Sequence, residues 1–546
     1  MTRIPESYLP PKEMWPEYIV PEEFSDIPTK LNLADYFVDR HVREGRGDSV
    51  AVKFMDKTFT YADLQRMVNK FGNALKAAGV ESQDRVGIRL VNSPQAMASI
   101  FAIEKVGAIP VPMSPLWSKE EVAFVANNAE MKFFVVNEPL LGPVEEAKDD
   151  FEYGTKVIVI GGKPDEVKAA GNLSFEEMME QGAPELEAGM LDADDIGVIL
   201  YTSGTTGMLK GCVHFVRPVI IEACLVNKYV YDLKPGDILG GSAPVSFAAG
   251  FGTFTLIPFA GGAGISLLPK FAPADMLDLI QRHKITVVTG LPTAYRVLMK
   301  FPEFKKYDLS SVRLYTTAGD ALGAETLEGW KQLTGQPIWE GFGGTEVLHL
   351  VTSNTMNPEP VPNSIGKPLP GIKVRVIDAG WNDVKPNKVG SMVIKAPSGT
   401  LYWKPYVDNE RLLRSQQENV TTGWNKMGDA VYMREDGNLF FVSREDDVIK
   451  VLGYRIGPAE VEEAIMKHPA VADAGVVGVP DPEKGQIVKA YIVMKPGHKG
   501  DDAFFEKLKE FLKQHIAVYK LPRAVEYVEA LPRTPTGKLL RRLLRK

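Results

Sequence analysis

The sequence predicts an α/β protein with a large N-terminal domain of layered sheets and helices, residues 1–445, and a small C-terminal α+β domain, residues 446–546. Three observations predict this fold: strand and helix patterns alternate along the chain, its character changes near residue 446, and 546 residues allow two unequal domains. Hydrophobic residues make up 45% of the chain and charged residues 24%. This balance is typical of a soluble globular protein and excludes a disordered or fibrous chain.

The alternation is clearest between residues 274 and 333. Helical spacing at Ala274–Lys284 is followed by an apolar strand pattern at Thr286–Gly290. A helix with proline at its start, Pro292–Lys300, precedes a second strand at Val312–Thr317, and Glu325–Leu333 again has helical spacing. This order predicts a parallel sheet covered by helices, with ligands and the glycine-rich loops beyond the carboxyl ends of the strands.

The C-terminal 100 residues have a different pattern. The polar tetrad Arg444–Asp447 separates two apolar strands. It is followed by a helix at Pro458–Lys467, strands at Val471–Val479 and Ile487–Met494, and a helix at Asp502–Ile516. These elements predict a small α+β domain joined to the first by a short connection.

Composition excludes several functions and sites. The net charge of −7 gives no basic field for nucleic acid. Two cysteines, Cys212 and Cys224, exclude a disulfide framework, and no four ligands have the spacing of a zinc finger. The polar N-terminus lacks the apolar core of a signal peptide, so we expect a cytoplasmic protein. The uncharged segment Ile238–Pro269 is rich in glycine and proline, which predicts buried strands and turns rather than a membrane span.

The strongest local signal is the run Tyr201–Gly211, which follows the apolar strand Val198–Tyr201. Its glycines allow a loop to wrap an anion with backbone N–H groups, its Ser and Thr hydroxyls are further donors, and Lys210 adds a positive charge. The run predicts a phosphate-binding loop. It is not a Walker A loop, because the lysine is not followed by Ser or Thr.

This loop resembles the signature of the adenylate-forming superfamily, which comprises acyl-CoA synthetases, peptide-synthetase adenylation domains and luciferases. Four further motifs resemble those of the family in the same order: Glu340–Glu346, Gly428–Asp429, Arg444–Arg455 and Pro535–Lys538. The resemblance extends from about residue 30 to the end of the chain. One departure is Leu209, which replaces the usual proline before the loop lysine and is expected to loosen the loop.

The resemblance implies an acid–CoA ligase with ATP, Mg²⁺ and coenzyme A as cofactors. A carboxylate would react with ATP to form an acyl-adenylate, and the CoA thiolate would then displace AMP. Lys538 is the catalytic lysine that would bridge the carboxylate and the α-phosphate, and the other tail cations would form a solvated basic helix. Thr345 would contact the α-phosphate and Glu346 would bind Mg²⁺. The mobile small domain would rotate at the hinge residue Asp446.

By the same resemblance, the nucleotide and CoA would contact both domains. The residues assigned to them are Thr202, Ser203, Gly204, Thr205, Thr206, Gly207, Lys210, Gly319, Asp320, Ala321, Glu340, Gly341, Phe342, Gly343, Asp429, Arg444, Gly453 and Tyr454. The first seven surround the β- and γ-phosphates. Phe342 would stack on adenine, Glu340 would accept from its amino group, and Gly319 to Ala321 would line its other face. Asp429 would accept from the ribose hydroxyls, Arg444 would contact the ribose or a phosphate, and Gly453 and Tyr454 would shape the pantetheine tunnel.

The acid pocket is assigned to Phe247, Ala249, Gly250, Phe251 and His349. Gly250–Gly252 and the run from Thr345 to His349 resemble benzoate- and 2-aminobenzoate-CoA ligases, so an aromatic acid is the expected substrate. A medium- or long-chain fatty acyl-CoA synthetase and a stand-alone enzyme that loads a carrier protein remain alternatives. A nucleotide-binding scaffold without turnover is a further alternative. The segment has no aspartate of the kind that binds an amino group, which argues against amino acids.

The expected partners are therefore a small carboxylic acid, ATP and CoA, with no nucleic acid and no membrane span. The sequence leaves a homodimer open.

Overall fold

The protein forms two compact units. A computed structural model describes residues 4–202, 209–246, 248–404, 410–451, 454–481, 485–533 and 539–545. Unit 1 comprises Met1–Lys373 and Ile394–Asn425, and unit 2 comprises Val374–Val393 and Lys426–Lys546. A large and a small unit, each with helices and sheets, confirm the predicted fold class. The boundary at residue 446 was placed at a hinge, and that position stays a prediction.

Helices occur throughout both units. Within the described residues the α-helices are α1 Tyr61–Ala78, α2 Pro94–Lys105, α3 Lys119–Asn128, α4 Gly142–Ala147, α5 Pro164–Ala169, α6 Phe175–Gln181, α7 Val216–Val226, α8 Ala248–Phe251, α9 Ile257–Ala260, α10 Pro273–His283, α11 Pro292–Met299, α12 Ala324–Thr334, α13 Glu410–Asn419, α14 Pro458–Met466 and α15 Asp502–Leu512. Several of them begin where proline occupies the first turn, as in α10 and α11, because its fixed φ suits a helix start and its missing N–H is not needed there.

The strands follow the same numbering in chain order. They are β1 Lys30–Leu31, β2 Val50–Phe54, β3 Lys57–Thr60, β4 Arg85–Arg89, β5 Ile109–Pro112, β6 Met131–Asn137, β7 Lys156–Ile160, β8 Leu173–Ser174, β9 Leu191–Asp192, β10 Ile196–Thr202, β11 Lys210–Phe215, β12 Ile238–Gly241, β13 Gly264–Ser266, β14 Val287–Gly290, β15 Leu314–Thr317, β16 Ile338–Gly343, β17 Leu350–Ser353, β18 Lys367–Pro368, β19 Lys373–Ile377, β20 Gly390–Lys395, β21 Val420–Thr421, β22 Trp424–Met433, β23 Leu439–Arg444, β24 Ile449–Val451, β25 Tyr454–Ile456, β26 Val471–Asp481, β27 Gly485–Met494 and β28 Ala524–Tyr527.

Unit 1 contains two large sheets and two strand pairs among its described residues. The larger sheet has the order β18-β17-β16-β15-β14-β12-β13-β2-β3, and its central strands from β2 to β16 run parallel. The second sheet, β5-β4-β6-β7-β8, is parallel throughout. Strands β10 and β11 form a separate antiparallel pair, and β1 pairs with β9. The parallel strands and their covering helices confirm the predicted α/β layers.

Unit 2 is built on two sheets. Strands β22 and β23 pair antiparallel, with Asp429 opposite Arg444. The second sheet has the order β25-β24-β27-β26 with β28 beside β27. Helices α14 and α15 pack on it through the buried side chains of Val461, Ile465 and Leu508.

The expected elements between residues 274 and 333 and between 458 and 516 are confirmed within a few residues. Two local expectations were wrong. The segment Ile238–Pro269 contains buried strands at β12 and β13, as expected, but residues 248–260 between them are helical where turns were expected, and Pro258 lies in the first turn of α9. The phosphate loop connects the antiparallel pair β10 and β11 instead of leaving a parallel sheet, since an apolar strand has the same pattern in both arrangements.

The basic tail was also predicted wrongly. Its described part contains a short 3₁₀ helix, Arg541–Leu543, and not a solvated α-helix. Arg541 pairs with Glu462, Arg545 pairs with Asp447, and Leu544 is buried. The tail is thus packed on unit 2. In the part of the chain that the structure describes, no helix combines the length and apolarity needed to cross a membrane.

Candidate active site

The ends of the phosphate loop meet where β10 and β11 pair. Thr202 lies opposite Lys210 in this register. Lys210 Nζ donates to Ser415 Oγ at 3.0 Å and lies 5.2 Å from the centre of the Tyr402 ring. The assigned loop residues Ser203, Gly204, Thr205, Thr206 and Gly207 lie outside the described residues. Leu209, which replaces the usual proline, is buried.

The lysine of the phosphate loop and the expected metal ligand, Glu346, both act on a buried thiol of β11. Alternate residues of a strand share a face, so Lys210, Cys212 and His214 lie in one row. Burial raises the pKa of the Cys212 thiol well above its usual value, the Glu346 carboxylate raises it further, and the Lys210 ammonium lowers it. Both charges therefore act on the same buried thiol, although Lys210 and Glu346 are 136 positions apart in the chain.

Thr345 and Glu346 lie on a short 3₁₀ helix, Thr345–Val347, which packs against β10 and β11. The carbonyl of Thr345 accepts from His214 Nε2 at 2.8 Å. The other ring nitrogen of His214 accepts from Ser398 Oγ–H at 2.6 Å. This histidine therefore connects the phosphate-loop strand to the turn that carries Thr345 and Glu346.

The expected adenine-binding residues lie at the carboxyl ends of two neighbouring parallel strands. Gly319, Asp320 and Ala321 follow β15, and Glu340 to Gly343 end β16. The Gly319 backbone has a φ of +89°, which favours glycine, and the Asp320 and Ala321 side chains are exposed. This placement confirms that these two motifs lie at one edge of the sheet.

Glu340 is the buried carboxyl of this group. Its Oε1 accepts from the backbone N–H of Leu322 at 3.3 Å. Burial raises the pKa of Glu340 to about 8, and Asp320 contributes to the rise. Phe342 is half-buried, and Gly341 is buried beside it on β16.

The strand end also fixes His349. A Cβ on Gly343 would lie 1.6 Å from the carbonyl oxygen of His349, so only glycine fits there. The buried His349 ring has Nε2 at 3.1 Å from Thr253 Oγ1, and its Cδ2 would meet a Cβ on Gly252 at 2.6 Å. Its Nδ1 has no hydrogen-bond partner among the described residues. Burial lowers the pKa of His349 to about 4, so the ring is neutral at neutral pH.

The other residues assigned to the acid lie near α8. Ala249 is exposed, whereas Phe251 is fully buried. A Cβ on Gly250 would lie 1.9 Å from the carbonyl oxygen of Pro244, so this position also requires glycine. Phe247 lies outside the described residues.

Unit 2 contains the residues assigned to the ribose. Arg444 Nη1 lies 2.9 Å from both carboxylate oxygens of Asp429 and donates to the carbonyl of Met427 at 3.1 Å. Asp429 is buried, and Gly428 before it has a φ of +72°. The two motifs, 15 residues apart in the chain, are thus brought together by the pairing of β22 and β23.

The hinge and the catalytic lysine are described only in part. Asp446 lies in a 3₁₀ helix, Glu445–Asp447, between β23 and β24. Tyr454 begins β25. Gly453 and Lys538 lie outside the described residues.

The carboxylate of Glu346 fits a Mg²⁺ ion that is bound together with a nucleotide. No group of three His, Cys, Asp or Glu side chains in the described ranges could hold a metal alone. Proteins usually bind Mg²⁺ through one or two carboxylates together with phosphate oxygens and water. Glu346 is half-buried and, like Lys210, affects the pKa of the buried Cys212 thiol, and it is a carboxylate of this kind.

Sequence reasoning did not assign a role in the site to His214, Ser398 or the partners of Lys210. A signal was available for His214, since it lies four residues after Lys210 and so shares its face of the strand. Ser398, Tyr402 and Ser415 had no such signal, because they come from distant parts of the chain.

Comparison with known proteins agrees with this arrangement. Residues 38–402 match the family model of AMP-binding enzymes, and residues 460–538 match the model of the AMP-binding enzyme C-terminal domain. Acetyl-coenzyme A synthetase of Bacillus subtilis (strain 168) is 31% identical over 526 residues, which cover 94% of this chain and 90% of the relative. Benzoate–CoA ligase of Thauera aromatica is 30% identical, with 95% and 96% of the two chains covered.

A similar solved structure is the anthranilate CoA ligase AuaEII in complex with anthranoyl-AMP. It is 31% identical, with a TM-score of 0.86 and coverage of 95% of this chain and 98% of that chain. The chain therefore belongs to the AMP-binding enzyme family, and it is an AMP-forming acid–CoA ligase whose cofactors are ATP, Mg²⁺ and coenzyme A.

Proposed function

We propose that the acid activated by this ligase is aromatic, of the benzoate or 2-aminobenzoate type. The observation that carries the proposal is the position of His349. Its backbone packs against Gly343, next to the expected adenine motif, and its neutral ring packs against Gly252 and Thr253 of the expected acid segment. A neutral, buried imidazole beside the expected acid segment would suit the ring of an aromatic acid, and its Nδ1 has no hydrogen-bond partner among the described residues.

The similarity to the Thauera benzoate–CoA ligase and to the anthranilate CoA ligase supports this choice. A fatty acid is the second candidate, because the long-chain-fatty-acid–CoA ligase of Bacillus subtilis (strain 168) is also 30% identical over most of both chains. Identity therefore does not separate the acids, and the distinction depends on the pocket. A homodimer and a cytoplasmic location stay predictions.

In the first half-reaction, we propose that the carboxylate oxygen attacks the α-phosphorus of ATP and that pyrophosphate leaves. Thr202, the loop hydroxyls and Lys210 bind the β- and γ-phosphates, while the Thr345 hydroxyl orients the α-phosphate. Lys538 holds the carboxylate and the α-phosphate together and offsets the charge that develops there. Glu346 would hold Mg²⁺, which would supply further positive charge at the phosphates.

The remaining proposed contacts position the nucleotide and the second substrate. Phe342 and Glu340 bind adenine together with the segment after β15, and Asp429 with Arg444 binds the ribose. In the second half-reaction the CoA sulfur attacks the acyl carbonyl, and AMP leaves with the bonding electrons. Rotation at Asp446 would remove Lys538 and bring Gly453 and Tyr454 to the pantetheine.

A panel of acids tests the substrate proposal. The purified enzyme is incubated with ATP, Mg²⁺, CoA and one of benzoate, 2-aminobenzoate, octanoate or acetate, and AMP formation is measured. We expect the highest kcat/KM with an aromatic acid. Octanoate as the best substrate would favour the fatty-acid candidate, and acetate as the best would refute both.

Half-reactions test the role of Lys538. Lys538→Ala should slow acyl-adenylate formation by about 10²-fold or more, as the loss of a charged transition-state contact does, while thioester formation from supplied acyl-adenylate continues. Arg542→Ala is the matched control, because it removes an exposed cation from the same tail. If Lys538→Ala slows acyl-adenylate formation and thioester formation equally, Lys538 does not act in the first half-reaction alone, which contradicts its proposed role.

A further inference from the structure

His214 makes two hydrogen bonds that give its two ring nitrogens different roles. A carbonyl oxygen can only accept, so Nε2 carries the proton that is donated to Thr345 at 2.8 Å. Nδ1 then accepts from the hydroxyl of Ser398 at 2.6 Å. With the side chain fully buried and both nitrogens bonded, His214 has no free nitrogen to exchange a proton with substrate.

The turn held by His214 is strained. Leu348, directly after the 3₁₀ helix, has φ and ψ of 69° and −50°, and the N–H of His349 donates to the carbonyl of Val347 at 2.9 Å. This is a γ-turn with positive φ, a rare conformation that persists only when its surroundings hold it. On one side of the turn lie Thr345 and Glu346, and on the other lies His349.

The contacts of the turn show what holds it. The Thr345 carbonyl accepts from the backbone N–H of Leu348 at 3.2 Å and from His214, while the Gly344 N–H donates to the His349 carbonyl at 3.2 Å. Among the hydrogen bonds of the described residues, the one to His214 links these contacts to β11, the strand that also carries Lys210. Without it, the strained turn would lose its hydrogen bond to β11 and would be held less firmly.

We propose that His214 is a positioning residue for adenylation: its Nε2–H holds the Thr345 carbonyl so that the Thr345 hydroxyl and the Glu346 carboxylate stay aligned with Lys210. The inference rests on the proposed roles of Thr345 and Glu346. It assigns His214 to binding geometry and not to proton transfer. Burial lowers the pKa of His214 to about 4, so the ring stays neutral between pH 6 and pH 9.

Two amide variants separate the two hydrogen bonds. The side-chain amide of glutamine reaches about as far as Nε2, whereas that of asparagine reaches about as far as Nδ1. His214→Gln can therefore still donate to Thr345, and His214→Asn can still bond only to Ser398. Ser398→Ala removes the second bond alone and leaves the Thr345 contact in place.

The experiment measures acyl-adenylate formation as a function of Mg²⁺ concentration, thioester formation from supplied acyl-adenylate, and the melting temperature. We expect His214→Asn to lose about 10-fold or more in adenylation, the effect of losing one positioned hydrogen bond, and to need more Mg²⁺ for half-maximal rate. Thioester formation should change by less than about 3-fold. His214→Gln should restore most of the adenylation rate at a similar melting temperature.

Two outcomes would overturn the inference. One is an equal rate of acyl-adenylate formation in His214→Gln and His214→Asn, whatever the melting temperatures of the two variants. The other is an equal loss in both half-reactions that follows the melting temperature, which indicates a purely structural role. Glu346→Gln tests the proposed function separately, because an unchanged Mg²⁺ dependence there refutes the role of Glu346 whatever the His214 variants do.

Discussion

Glu340 is a carboxyl group whose protonation depends on burial. Its pKa is raised to about 8 in the folded protein, against 4.5 for an exposed glutamate. Between these values the folded state holds a proton that the unfolded state has lost. The wild-type free energy of unfolding should therefore fall as the pH rises from about 4.5 to about 8, with a contribution of up to about 1.4 kcal/mol per pH unit from this group.

The first prediction is that Glu340→Gln removes this contribution, because glutamine does not titrate. The stability of the variant relative to wild type should increase from pH 6 to pH 8 and then level off. Urea unfolding at several pH values measures it, and Glu325→Gln, an exposed carboxylate on α12, is the control. If the free energies of unfolding of wild type and Glu340→Gln change with pH in parallel, the pKa of Glu340 is not raised.

Leu348 allows a second prediction at the same scale. Glycine adopts positive φ without steric cost, whereas alanine does not. Both Leu348→Ala and Leu348→Gly lose the buried leucine side chain, but the glycine variant should be more stable than the alanine variant by about 1 kcal/mol. Leu327, in the regular helix α12, is the matched control. There the Leu327→Gly variant should be less stable than the Leu327→Ala variant by about 1 kcal/mol. If the alanine variant is the more stable one at both positions, the turn at Leu348 is not strained.

The acid segment is the element that decides substrate choice in the proposed function. A Cβ on Gly250 or Gly252 would clash with neighbouring atoms, whereas Ala249 is exposed and can accept a larger side chain. Near an apolar pocket, discrimination follows shape, at about 1–3 kcal/mol for one methylene.

The third prediction concerns Ala249→Tyr. It should reduce activity on larger acids more than on benzoate and shift the ratio of kcat/KM by about 10-fold or more, since a tyrosine ring is far larger than one methylene. Steady-state constants for benzoate, a ring-substituted benzoate and octanoate measure the effect, with Ala249→Ser as the control of similar size. An unchanged ratio would place Ala249 away from the pocket.

For the whole molecule, the C-terminal tail is part of the fold of unit 2. The Tyr491 hydroxyl donates to the carbonyl of Leu544 at 2.7 Å, and Leu544 packs with Tyr491 and Val477. Arg541 Nη2 lies 2.6 Å from a carboxylate oxygen of Glu462, and Arg545 pairs with Asp447, the neighbour of the proposed hinge residue. Charge pairing thus joins the chain end to the segment at Asp447.

The fourth prediction is that deletion of residues 541–546 destabilises the protein by about 2–4 kcal/mol, through lost apolar burial and lost hydrogen bonds. Arg542→Ala, which changes an exposed cation of the same tail, should cost less than about 0.5 kcal/mol. Urea unfolding measures both. A deletion without effect would show that the tail does not stabilise unit 2.

The alternation of strand and helix patterns was sufficient to predict the α/β fold and the small α+β unit, and the order of the motifs was sufficient to predict the family. Periodicity located α10 to α12 and α14 correctly, since it depends on neighbours three or four residues apart. The strand ends at Gly319 and Glu340 were predictable because parallel strands present their carboxyl ends at one edge.

Other features of the site depend on residues that are far apart in the chain. His214 contacts Thr345 across 131 positions and Ser398 across 184. Local sequence patterns also could not predict the pairing of β10 with β11, the neutral state of His349 or the raised pKa of Glu340. The physical reason is that periodicity records only which residues are apolar, whereas strand pairing, hydrogen-bond partners and the burial that shifts a pKa are set by packing between distant segments.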